Sequence, residues 1–215
     1  TGGGTDRSVD TFNNGTAEFD VSATNSGFDV TATVSSSGLS VSGSTTYQTV
    51  AGNISTADSS LSVAGNTNDF SGVKVATQHP VLVDLEDSNG NAIEGFDVTL
   101  SSNATGASFD NTELTTNASG QASTTVTLPD QKGTTAVNVT AGDFNASGTG
   151  NAQVNVTTVA DNVTQLRFGS DASPSIAPNS QDNTFTVEAA DQFDNLNAST
   201  GSLSSVTLTS SDTAV

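Results

Sequence analysis

The chain has 215 residues and a formal net charge of -19, because 23 acidic side chains face only Arg7, Lys74, Lys132 and Arg167. With no basic patch to neutralise phosphates and few aromatic residues to stack bases, nucleic acid is excluded as a partner. The absence of cysteine excludes a disulfide framework and thiolate metal centres, and no run reaches the ~18 apolar residues that a membrane span needs.

A chain this acidic repels itself, and the repulsion weakens as the Debye length falls from about 10 Å at 0.1 M salt to about 3 Å at 1 M. Asp outnumbers Glu, Lys is nearly absent and the apolar residues are small, a composition that resembles secreted proteins of extreme halophiles. The length suits two or three small domains. Trp and Met are missing, so ten Phe and the many Val are expected to form the cores. The chain begins TGGGTDRSVD, without an initiator Met, and reads as a processed or excised piece.

Apolar residues alternate from the N-terminus onward. Phe19, Val21 and Ala23 share one face of a strand, and Phe28, Val30, Ala32 and Val34 share one face of the next. Further strands are expected at 39–42, 46–51, 60–64 and 73–77, separated by Gly, Ser and Asn. No segment keeps a 3.6-residue period for the length of a helix. The expected fold is therefore all-β with almost no helix, and residues 1–76 are expected to form an N-terminal β-sandwich-like domain.

A second domain is expected over 77–158. It opens with VLVDLEDSNGNAIEGFDVTL at 81–100, in which Val81, Val83 and Leu85 alternate with Leu82, Asp84 and Glu86 before a break, and Phe96, Val98 and Leu100 alternate with Asp97 and Thr99 after it. Between these arms Asn89-Gly90 tolerates positive φ, and Gly95 lets the chain re-enter a strand, so a turn explains the break. Asp87, Asn89 and Asn91 also have the spacing of the first three oxygen ligands of a calcium loop. Ala92 stands where that loop needs Gly, however, and no Glu occupies its twelfth position. A looser calcium site from Asp84, Glu86, Asp87 and Asn89 would need roughly six to eight converging oxygens.

The later strands of this domain place Ala122, Val126 and Leu128, then Val137, Val139 and Ala141, then Val154 and Val156, on inward faces. Turn signals such as NASG and DQKG recur at the spacing of a sandwich. A third unit over 160–215 carries Leu166, Phe168, Phe185, Val187, Ala189, Val206 and Leu208. Its few strands would leave an open sheet edge, so it reads as a partial domain, either truncated or completed by a strand from a partner.

The second domain resembles the bacterial immunoglobulin-like domain of invasin and intimin type. Asp87, Asn89, Gly90, Gly95, Phe96, Gly120, Ala122 and Gly133 fall where that pattern places them, with Ala92 at a position usually held by Pro. Asp191, Asn195, Gly201 and Ser-Ser-Asp at 210–212 make the third unit similar to the opening of another such repeat. Together with the acidity, the chain resembles tandem-domain surface glycoproteins of halophilic archaea. The resemblance implies tandem immunoglobulin-like sandwiches and makes the Asn-Gly stretch a turn.

Chemistry-bearing residues are sparse. His79, the single histidine, precedes Pro80 at the expected domain junction, which gives a Ser-His-Asp arrangement no framework. Asp84 and Glu86 lie two apart on the polar face of a strand and read as solvated charges rather than an acid–base pair. Nine sequons occur, at Asn14, Asn53, Asn103, Asn117, Asn138, Asn145, Asn155, Asn162 and Asn197, and are candidate glycosylation sites. The expectation is a non-enzymatic extracellular structural protein without a cofactor other than the weak calcium candidate, building a cell-surface layer, stalk or filament from copies of itself. The alternative is a recognition module for cell-surface glycans or proteins, an adhesin or a decoration or tail-spike protein on a virion surface.

Overall fold

The structure, a computed structural model, describes residues 23–36, 39–145, 152–169, 186–198, 205–207 and 209. Among them are fourteen β-strands and no helix, so no helix is long and apolar enough to cross a membrane. The chain divides into two compact units, residues 1–50 and 51–215.

In the first unit, β1 (Asp29–Ser36) and β2 (Leu39–Gln48) form an antiparallel pair. Val30 lies opposite Tyr47 and Thr31 opposite Thr46, whose hydroxyls are 3.0 Å apart. The two short strands expected at 39–42 and 46–51 are one, because pairing with β1 continues through Gly43. The strand expected over 17–23, apart from Ala23, and the sequon Asn14 lie outside the described residues.

The second unit contains β3 (Ser60–Val63), β4 (Asp69–Lys74), β5 (Gln78–Asp84), β6 (Asp97–Ser102), β7 (Ser108–Phe109), β8 (Glu113–Thr115), β9 (Gln121–Thr127), β10 (Thr134–Ala141), β11 (Phe144–Asn145), β12 (Gln153–Val159), β13 (Gln165–Phe168) and β14 (Val187–Ala190). One sheet has the order β3-β5-β9-β7; the facing sheet runs β4-β12-β10-β6-β8, with β11 on β10. All pairs in the two sheets are antiparallel except β4 with β12. The chain thus enters on the edge of one sheet with β3 and crosses to the other with β4. Two sheets ordered in this way are an immunoglobulin-type sandwich.

This topology moves the boundary expected at 76/77. Strands β3 and β4, assigned by the sequence reading to an N-terminal domain, pair with β5 and β12, and Leu61, Val63 and Val73 lie in the sandwich core. The contact boundary falls between Val50 and Ala51.

The core follows the period-two pattern. Val81, Val83 and Leu85 are buried while Leu82 is exposed; Val98 and Leu100, Val137 and Val139, and Val154 and Val156 close the other side. Valine fills most of it. Phe144 is the one fully buried phenylalanine among the described residues, while Phe70, Phe96 and Phe109 pack at the margin. Strands β5 and β6 belong to different sheets, so the break over 85–96 is a crossover between sheets rather than a hairpin.

His79 sits inside β5 and not in a linker. Its ring meets Phe70 edge-on, with centroids 5.3 Å apart, and its Nε2 is 2.9 Å from Thr77 Oγ1. Pro80 is tolerated because β3 pairs with β5 only from Val81 onward, so no ladder donor is lost on that side.

Strands β13 and β14 form a separate antiparallel sheet. Leu166 lies opposite Ala189 and Phe168 opposite Val187, which puts the apolar residues on one face. Leu166 and Phe168 remain 47% and 61% exposed, whereas Leu61 and Val83 in the complete sandwich are at 0%.

Candidate functional site

The most elaborate polar structure among the described residues is the crossover loop that follows β5. Asp87 is only 3% exposed, and among the described residues its donors are main-chain and side-chain amide N–H groups. Its Oδ1 accepts from the main-chain N–H of Asn89 and of Asn91, each at 2.9 Å, and its Oδ2 accepts from Gly52 N at 2.8 Å. The Asn91 side-chain amide donates to both oxygens, at 3.1 and 2.9 Å. The Asn91 amide, then the Gly52 and Asn91 main-chain donors, hold the Asp87 carboxyl well below the usual carboxylate range against the opposing effect of burial. Gly90, with φ of 76°, supplies the left-handed step that closes the loop.

The same loop recurs 104 positions later, with Asp191 for Asp87 and Asn195 for Asn91. Asp191 Oδ1 accepts from Phe193 N and Asn195 N, and Oδ2 accepts from Asp161 N at 2.9 Å. The Asn195 amide again donates to both oxygens, at 3.3 and 3.0 Å. Burial pushes the Asp191 carboxyl up, but the donors from Asp161, Asn195 and Phe193 outweigh it and hold the group below its ordinary value. Main-chain bonds repeat too: Ile93 N to Leu85 O is matched by Asn197 N to Ala189 O, and the bridge Glu86–Ala92 by Ala190–Leu196. Asp194, with φ of 66°, takes the place of Gly90. Asp and Asn are among the non-glycine residues that tolerate this region.

The second loop leans on the sandwich. Asn195 Oδ1 accepts from Lys132 N at 3.0 Å and its Nδ2 donates to Asp130 O at 2.7 Å. Gln131 Nε2 donates to Phe193 O and Lys132 Nζ to Leu196 O. On the linker, the Lys74 ammonium lies 2.7 Å from Asp161 and donates to Asn162 Oδ1 at 2.9 Å, which draws the Asp161 carboxyl down. Beside this joint, Lys132, Leu166, Val187, Ala189, Leu196 and Val206 line an open hollow of about 530 Å³.

Asp84, the last residue of β5, and Glu86, two residues beyond it, are partly buried, and Asp84 accepts from Gln121 Nε2 at 3.3 Å. Both oxygens of Asp87 accept from N–H donors, and these bonds hold the loop. No group of three His, Cys, Asp or Glu residues converges as a metal site among the described residues. The sequons divide by which amide atom is engaged. Asn103 accepts from Ala136 N, Asn117 from Ser119 N and Gln121 N, Asn138 from Gln153 Nε2 and Asn162 from Lys74, all through Oδ1. Asn145, Asn155 and Asn197 instead donate through Nδ2, to Asp143 O, Asp69 Oδ1 and Asp161 O. Asn53 is exposed. The contacts of Asn195 with Asp130 and Lys132 escaped the sequence reading, although the repeated Asp-x-x-x-Asn spacing was there to be seen.

The sequence matches no protein-family description and no curated protein sequence. Solved structures do resemble it. FdeC, an Escherichia coli adhesin, aligns at 21% identity over 73% of this chain and 48% of its own, with a TM-score of 0.51. Invasin, a bacterial integrin-binding protein, aligns at 18% identity over 74% of this chain and 31% of its own, with a TM-score of 0.54. The chain spans about half the length of the first and less than a third of the second. These likenesses show the fold: an immunoglobulin-like β-sandwich of the kind found in invasin-type adhesins.

Proposed function

We propose that this chain is part of an extracellular surface protein whose role is structural: tandem immunoglobulin-like modules that space and present, without catalysis, in a high-salt setting. The observation that carries this reading is the duplication of the Asp-x-x-x-Asn loop with its hydrogen bonds, the second copy seated on the end of the complete sandwich. Such duplication is the mark of a repeat array in which residues 160–215 open a further module. The adhesin and integrin-binding roles of the two resembling proteins support a surface location. The net charge of -19 supports the saline setting, where screening relieves self-repulsion.

The second reading, a recognition module on a cell or virion surface, is favoured by the adhesin neighbours. Sedimentation of the purified chain from about 0.1 M to molar salt separates the two. Reversible growth of large homo-oligomers as salt rises is expected of a structural building block. A species that stays monomeric throughout while binding cells would replace this reading with the second.

A further inference from the structure

At one end of the sandwich, after β9, lies the turn Pro129-Asp130-Gln131-Lys132-Gly133, whose Gln131 and Lys132 side chains donate to Phe193 O and Leu196 O and which also offers main-chain groups. Asn195 meets two of them with one planar amide: the oxygen takes the Lys132 N–H and the nitrogen gives to the Asp130 carbonyl. Asn195 is 4% exposed and the orientation of its amide is fixed from behind by both oxygens of Asp191. Asp191 in turn holds the linker through Asp161 N, and Asp161 is paired with Lys74 at the end of β4. One loop is therefore tied to the sandwich at two separated places, the β9–β10 turn and the β4 edge.

We propose that the 129–133 turn is the docking surface for the module that follows it in the same chain, and that Asn195 is the residue that recognises it. A single tether leaves a hinge; two tethers joined through one buried carboxylate remove it. The Asn195 bonds run to the turn's peptide groups, and the Gln131 and Lys132 side chains bond main-chain carbonyls of the loop, so the partner it fits is a module opening with an Asp-x-x-x-Asn loop. The central bonds are between amides, and molar salt leaves them in place, unlike the exposed Lys74–Asp161 pair.

Amide hydrogen exchange on the full chain, read by NMR, tests this. The Lys132 N–H belongs to an exposed residue and has Asn195 Oδ1 as its acceptor, so protection of tenfold or more is expected in the wild type, in low and in molar salt. In Asn195→Ala that protection is expected to vanish while Asn197 N, which bonds Ala189 O, and Val83, in the middle of the sandwich sheet between β3 and β9, stay protected. Free-peptide exchange at Lys132 in the wild type, or undiminished protection in the variant, would overturn the proposal. If Asn197 is also lost, the loop has come apart, and the variant Lys132→Pro decides instead. It removes the main-chain donor to Asn195 Oδ1, spares the loop's own bonds and is expected to speed exchange of the Asn195 side-chain amide severalfold; no change there overturns the proposal.

Discussion

The main-chain oxygen of Leu85 lies 2.5 Å from the point a Cβ on Gly120 would occupy, with Ile93 N and Ala92 Cα within 3.3 Å. Leu85 cannot retreat, because its N–H donates to Gly120 O and its carbonyl accepts from Ile93 N. Gly120 also has φ of 75°. Substitution Gly120→Ala therefore incurs both left-handed strain and overlap with fixed backbone, and a loss of at least about 2 kcal/mol is expected. Urea denaturation in high salt measures it; a loss below about 0.5 kcal/mol, the range of neutral surface changes, would refute the packing described for the crossover loop.

The two apolar sheet faces of the second unit make a paired prediction. Leu85 is fully buried, and Leu85→Ala is expected to cost about 2–5 kcal/mol. Leu166, 47% exposed, is expected to cost no more than about 0.5 kcal/mol when truncated in the isolated chain. Equal losses would mean that the β13–β14 face is covered.

The single histidine gives a clean pH test. Partial burial of His79 beside Phe70 lowers its pKa below the ordinary 6.5, since desolvation disfavours the charged ring. A depressed folded-state pKa contributes stability that is present above 6.5 and lost as pH falls through the folded value. An NMR titration of the ring should give a midpoint below 6.5, and His79→Gln should flatten the stability profile in that window alone. A midpoint at or above 6.5 would contradict the burial.

Glycan occupancy should follow the amide geometry, because a glycan attaches through Nδ2. Asn103 and Asn117 are exposed and engage main-chain donors through Oδ1 rather than Nδ2. They are expected to be occupied in native material, ahead of the partly buried Asn155 and Asn197. Glycopeptide mass spectrometry reads the order directly, and modification confined to Asn155 and Asn197 would reverse it.

The sandwich was largely legible in the sequence because period-two alternation is a local signal. Val81, Val83, Val137, Val139, Val154 and Val156 all point inward as their spacing implies. What misled was topology. Nothing local tells that the chain steps from one sheet to the other between β3 and β4, so residues 60–74 read as the end of a separate domain when they are the first edges of this one. Phenylalanine was expected to share the core, but a space between two valine-lined sheets leaves room for Phe144 and pushes Phe70, Phe96 and Phe109 outward. The spacing of Asp87, Asn89 and Asn91 is that of a cation loop as well as of a self-bonded one, and although Ala92 already departs from the first, the N–H groups of Asn89 and Asn91 that turn onto the Asp87 carboxylate could not be read from it. The grip of Asn195 on Asp130 and Lys132 spans more than sixty residues and has no local signature.

The most direct measurement is electron microscopy of the native protein in molar salt, with intact mass recorded on the same sample. A structural array predicts regular lattices or filaments built from β-sandwich modules, with masses above that of the polypeptide. Dispersed single particles of bare polypeptide mass would contradict a structural, self-assembling role.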